Sequence, residues 1–149
     1  MTLFLLLKVV HVLAAIVAVG ANVTYAFWLS WAGRDRERLI WSIEGVRRLD
    51  RKFANPGYIV VLITGISMVI TGGYRFAQGW ISAAIALYIL TAIVGIAAFA
   101  PAIRRQLAEA EADPGSEAYE AAARRVNLLG GLTTAIVGAI VFLMVTKPI

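Results

Sequence analysis

Apolar residues gather into four long blocks along the chain, from about Leu3 to Trp31, Phe53 to Tyr74, Trp80 to Ile103 and Val126 to Thr146. Each runs for about 20 residues or more, enough to cross a hydrocarbon core roughly 30 Å thick. None alternates with period two, so each is expected to form a helix, which satisfies its own backbone in lipid. The pattern predicts an all-α fold, a transmembrane four-helix bundle forming a single membrane domain over residues 1–149. Between the first two blocks, "GRDRERLIWSIEGVRRLDRKF" sets Leu39, Ile43, Val46, Leu49 and Phe53 at helical spacing among Arg and acidic residues. That spacing predicts a short amphipathic helix lying at the membrane surface. Further on, "RRQLAEAEADPGSEAYEAAARRV" is rich in Ala and Glu on both sides of the turn signal Asp113-Pro114-Gly115-Ser116. The third and fourth helices are therefore expected to continue past the lipid and meet as an antiparallel hairpin. The short link "GGYRFAQG" predicts that the second and third spans are neighbours.

Composition agrees: 60% hydrophobic residues and a mean hydropathy of +0.80 exceed the roughly 45–50% apolar content of soluble domains. The first block is longer than a signal-peptide core and lacks a basic leader and a small-x-small cleavage signal, so it is read as a retained span. Charge gives an orientation, because Lys and Arg collect in short cytoplasmic loops. Eleven of the fourteen basic residues (Arg34, Arg36, Arg38, Arg47, Arg48, Arg51, Lys52, Arg104, Arg105, Arg124 and Arg125) flank the first and third connections, leaving Lys8, Arg75 and Lys147 for the other side. Both termini are thus expected outside the cytoplasm, with the amphipathic helix inside. The net charge of +5 reads as this topology signal and an attraction to lipid headgroups, and no nucleic-acid partner is expected. The chain has no cysteine, which excludes disulfides, iron–sulfur clusters and thiolate metal sites.

Polar residues inside the spans fall on stripes. Lys8, His11, Ala15, Ala18, Asn22 and Tyr25 share one face of the first helix at about 100° per residue. Gly57, Thr64 and Thr71, with Ser67 nearby, form a stripe on the second; Tyr88, Thr91, Gly95 and Ala98 on the third; Asn127, Thr134 and Gly138, beside Gly130, on the fourth. Glycines and hydroxyls at such spacings let helices approach and hydrogen-bond, so packing accounts for most of them. Pro56 suits the first turn of a helix, and Pro101 a kink or the passage into the interface. His11, the one histidine, stands apart because an ionisable residue inside a membrane is a candidate functional site. Three roles are open to it: a hydrogen bond across the bundle, a proton carrier, or a haem ligand whose second nitrogen a neighbour such as Asn127 or Tyr88 orients. It is also the only candidate metal ligand, since no Asp, Glu or Cys in the spans completes a metal-only site. Transport needs a continuous polar passage, for which one His without a carboxylate is a poor basis.

The segments "LLKVVHVLAAIVAVGAN", "RRLDRKFANPGYIVVLITGISMVITGG" and "VNLLGGLTTAIVGAIVFLMVTKPI" resemble an uncharacterised family of bacterial four-span integral membrane proteins. The shared features are an early Leu-Lys-x-x-His, a Pro-Gly opening of the second helix, and a terminal Met-Val-x-Lys-Pro. The resemblance implies a multi-pass protein of the bacterial inner membrane with a structural or accessory role and no enzyme activity, in contact with the lipid bilayer and forming a homo-oligomer. The chain is more distantly similar to HemJ-type protoporphyrinogen oxidases and to the membrane domain of copper-resistance protein D. That similarity implies haem b or a porphyrin held by His11 as axial ligand, with Asn22, Tyr25, Tyr88 and Asn127 around it and Lys8 or Lys147 near a propionate. An enzyme of that kind is a haem-dependent oxidoreductase acting on a tetrapyrrole. The HemJ pattern has Tyr-x-Pro-Arg after the first helix, Trp-x-His-x-Lys at the third and Asn-Glu-x-Pro at the fourth. This chain has "TYAFWLSWAGR", Trp80-Ile81-Ser82-Ala83-Ala84 and Asn127-Leu128-Leu129-Gly130. The missing groups are those a proton-coupled oxidation uses, so this similarity implies a shared scaffold with the activity absent or changed.

Overall fold

The computed structural model describes residues 2–148. Within them the chain forms six α-helices and no strands: α1 (Leu3–Trp31), α2 (Arg36–Leu49), α3 (Asn55–Thr71), α4 (Gly79–Val94), α5 (Ala100–Ala112) and α6 (Glu117–Thr146). Side-chain oxygens cap the N-termini of three of them: Thr2 accepts from the Leu5 amide, Asp35 from Arg38 and Ser116 from Tyr119, each satisfying a donor that the first turn leaves free. Gly33, at φ +65°, reverses the chain between α1 and α2 in a conformation that favours glycine.

Two π-helical turns, Asp50–Ala54 and Gly95–Phe99, join α2 to α3 and α4 to α5. Each directly precedes the turn holding a proline, Pro56 or Pro101. Proline clashes with the carbonyl four residues back, and a widened turn accommodates it without breaking the helix. Pro56 stands in the first turn of α3, as expected, and the π-helical turn before it joins α3 to α2 without a break. Four helices long and apolar enough to cross a membrane result: Leu3–Trp31, Arg36–Thr71, Gly79–Ala112 and Glu117–Thr146. Their outer surfaces carry Leu13, Ile16, Ile63, Ile70, Ile96 and Phe142 largely exposed, a distribution that water penalises and lipid accepts.

The amphipathic helix is present as α2, but its apolar face meets protein. Leu39, Ile43 and Val46 are fully buried in a cluster with Ile103, Leu107 and Ala110 of α5 and Tyr119 and Val126 of α6. The long third and fourth helices form the expected hairpin beyond the apolar blocks, and it offers α2 a facing apolar strip.

In the apolar half, α1 packs on α3 and on α6, and α6 on α4. The order around the bundle is therefore α3, α1, α6, α4. The expected adjacency of the second and third spans holds next to their link, where Val69 clusters with Trp80 and Ile81, and at one hydrogen bond from Tyr88 to Tyr58. Beyond that no Cα of α3 lies within 8 Å of a Cα of α4. The link places bulky rings at the start of the gap, with Tyr74 edge-on to Trp80 at 5.8 Å between centroids.

Candidate functional site

Small residues bring α1 and α3 into contact. A Cβ on Gly57 would stand 3.0 Å from the Ala18 Cβ and 3.3 Å from the Ala14 carbonyl oxygen. Two turns along α3, a Cβ on Gly65 would lie 3.2 Å from Cε1 of His11, so glycine there makes room for the imidazole. The ring's Nδ1 is 2.9 Å from Oγ1 of Thr64. The Thr64 hydroxyl donates its one proton to the Val60 carbonyl at 2.6 Å, shared with Val61 at 3.3 Å, so towards His11 it accepts. This arrangement favours the proton of His11 on Nδ1, and among the described residues Nε2 has no hydrogen-bond partner. Thr64, rather than Asn127 or Tyr88, orients the ring.

A second polar cluster lies nearer the basic end. The Asn22 amide donates to the Tyr58 hydroxyl, and the Tyr88 hydroxyl donates to the Tyr58 carbonyl at 3.0 Å, tying α1, α3 and α4 together at one residue. The Tyr25 hydroxyl donates to Asp50 at 3.4 Å, whose other oxygen accepts from the Asn55 amide at 3.1 Å. The Tyr25 ring stacks on Phe99 with centroids 6.4 Å apart. Tyr25 thus touches both π-helical turns. From His11 to Asn22 is about 16 Å of helix, and α1 and α3 place only apolar and glycine residues along it. Along α1 the close Ala18–Gly57 approach stands between His11 and Asn22.

Where α3 and α4 part, a cavity of about 490 Å³ opens, lined by apolar side chains of α1, α3, α4 and α6 such as Ile16, Leu62, Ile85 and Met144. His11, Tyr58, Tyr88 and Thr91 also line it. Each already has a partner inside the protein, that of Thr91 being the Leu87 carbonyl at 2.9 Å. A groove of about 800 Å³ between α1 and α6 is more polar, with Asn22, Tyr25, Ser30, Gln106, Asn127 and Thr134 on its walls. Among the described residues no group of three or more His, Cys, Asp or Glu is placed to hold a metal ion.

A family described as predicted integral membrane protein (DUF2269) has a sequence model that matches residues 5–148. The chain belongs to this family. No curated protein and no solved structure matches it, and the more distant similarity to HemJ-type oxidases and the copper-resistance domain is not confirmed.

For this member of the family, the residues singled out from sequence divide among three places. His11 and Tyr88 reach the cavity, whereas Asn22, Tyr25 and Asn127 line the groove. Lys8 is exposed on α1, and Lys147 caps α6 at the end far from the basic loops, its ammonium over the Tyr74 and Trp80 rings. Sequence reasoning passed over Tyr58, Gly65 and Asp50. Tyr58 follows Gly57 directly, and Asp50 is the lone acid within "RRLDRK", the one signal that pointed to it.

Proposed function

We propose that the protein is an accessory protein of the bacterial inner membrane that holds one apolar molecule within the bilayer, between its second and third spans. The cavity between α3 and α4 carries this reading. Its volume of about 490 Å³ falls in the range of roughly 300–1,000 Å³ usual for ligand sites. The wall's polar side chains are hydrogen-bonded within the protein, His11 through Nδ1, so a hydrocarbon guest leaves no group newly unsatisfied apart from the bare Nε2. The positive-inside rule supports a cytoplasmic basic end and both termini outside.

Gly20 lines the cavity, and a Cβ there would meet nothing within 4 Å, so Gly20→Phe fills the space without a clash at its root. Solvent extraction of detergent-purified protein is expected to release about one apolar molecule per chain, and Gly20→Phe to lose it. Wild-type protein that retains nothing, or a Gly20→Phe variant that retains as much, overturns the reading. For orientation, the cysteine-free chain accepts single labels: Ala77→Cys is expected to react with an impermeant thiol reagent in intact cells, and Ser116→Cys only after permeabilisation.

The bare Nε2 of His11 on the same wall favours a second reading, haem or another tetrapyrrole held by that nitrogen, which would supply redox chemistry when bound. A Soret band lost in His11→Ala supports it. Colourless protein that takes up no added haemin refutes it.

A further inference from the structure

We infer that the guest between the second and third spans is an anionic phospholipid, its phosphate at Lys147 and one acyl chain in the cavity. The inference rests on the cavity reading above and names the occupant. Helix α6 ends at Lys147 in the left-handed conformation, φ 45° and ψ 57°, which few residues other than glycine adopt. The Nζ atom lies 5.3 Å from the centroid of Tyr74 and 5.4 Å from that of Trp80, and 3.5 Å from the Tyr74 hydroxyl. Trp80, together with Phe76, Met144 and Val145, lines the cavity. The ammonium is therefore fixed at the cavity's end by the same ring that forms its wall, and the residue remains exposed to a headgroup.

Charge and depth both select the occupant. All nine Asp and Glu residues lie between Asp35 and Glu120, in the segments of the basic end, whereas Lys8, Arg75 and Lys147 stand towards the opposite end without an Asp or Glu side chain among them. Along α4 the lining runs from Trp80 to Thr91, about 16 Å at 1.5 Å per residue, close to half of the roughly 30 Å hydrocarbon core. That is the depth of one leaflet. A phospholipid of this leaflet has the matching layout, with a negative group at the mouth and a chain reaching the midplane. An apolar wall does not tell one acyl chain from another, so discrimination between lipids falls to the headgroup. A zwitterionic lipid brings its own cation to the mouth and gains less there.

The full chain in neutral detergent is incubated with phosphatidylglycerol or phosphatidylcholine mixed micelles, and retained lipid is counted by native mass spectrometry. Phosphatidylglycerol is expected to be retained at least about fivefold better at low salt, the gain falling as salt is added. Lys147→Gln and Arg75→Gln are each expected to lower that preference by about fivefold, and Lys147→Arg to keep it. Equal retention of the two lipids, a preference that Lys147→Gln leaves unchanged, or one insensitive to salt in the wild-type chain overturns the assignment. If both lipids are held equally and Gly20→Phe loses both, the cavity reading stands and the headgroup assignment falls. If neither is held, the cavity reading falls with it.

Discussion

Replacing Gly57 with Ala tests the contact on which the α1–α3 seam depends. The added methyl group would stand 3.0 Å from the Ala18 Cβ and 3.3 Å from the Ala14 carbonyl oxygen, whereas carbon atoms rest at about 3.5–4.0 Å. Both neighbours belong to the body of a helix, so α1 and α3 must part by about half an ångström, an overpacking cost of about 1–3 kcal/mol. Alanine also gains about 1 kcal/mol over glycine in a helix interior. The net loss is about 0–2 kcal/mol, a value that decides little by itself. The decisive quantity is the coupling with Ala18→Gly, which removes the closer of the two clashes. The double variant should be more stable than the sum of the single changes by about 1–2 kcal/mol. Reversible unfolding of all four proteins in one detergent measures this. Gly131→Ala is the control: a Cβ there meets nothing within 4 Å, and a gain of about 0.5–1 kcal/mol is expected. Additivity within about 0.3–0.5 kcal/mol for the Gly57–Ala18 pair would refute the close approach.

Three further changes probe other parts of the molecule. Ile43→Ala empties a fully buried position of the cluster at the basic end and should cost about 2–5 kcal/mol, read as a lowered melting temperature in detergent. His11→Ala removes the bond to Thr64 and should cost only about 0.6–1.7 kcal/mol; aggregation on gel filtration would show that the imidazole carries more of the fold than this one bond. Tyr25→Phe leaves Asp50 with Asn55 as its remaining side-chain partner. The change should cost about 1 kcal/mol, and loss of the same size in Asn55→Ala would mean that the two bonds hold the carboxylate equally.

The four spans were legible because apolar runs of this length admit one solution in lipid. The faces of the helices were legible too: His11 and Thr64 both lie on stripes visible in the sequence. Their pairing was not, since periodicity gives a face without saying which neighbour it meets. Leu39, Ile43 and Val46 show the same limit, because their spacing suits a lipid surface or a protein surface equally. The choice fell to α5, whose Ile103, Leu107 and Ala110 complete the cluster. Tyr58 was hidden because it stands one place off the Gly57 stripe and reaches Asn22 by the length of its side chain. The gap between α3 and α4 leaves no mark in the sequence at all, since a short link suggests adjacency whether or not the helices stay together beyond it.

That gap and the cluster at the basic end have a common cause. At the basic end, charged residues hold the helices in an aqueous setting, where burying Leu39, Ile43, Val46, Ile103 and Leu107 draws on the full hydrophobic effect. Inside the bilayer this driving force vanishes, because acyl chains are as apolar as leucine, and association depends on close packing and hydrogen bonds. The structure follows this division. Helices α1 and α3 stay together through Ala14, Ala18, Gly57 and the His11–Thr64 bond, whereas α3 and α4 share a hydrogen bond at Tyr58 and the contacts beside their link. With the four helices clamped at one end by α2 and α5, separation of α3 from α4 costs little when lipid fills the space. A bundle built this way keeps an open cavity without sacrificing the contacts that hold it folded, so substitutions lining the cavity should change what is retained far more than they change stability, the reverse of the pattern expected for Ile43.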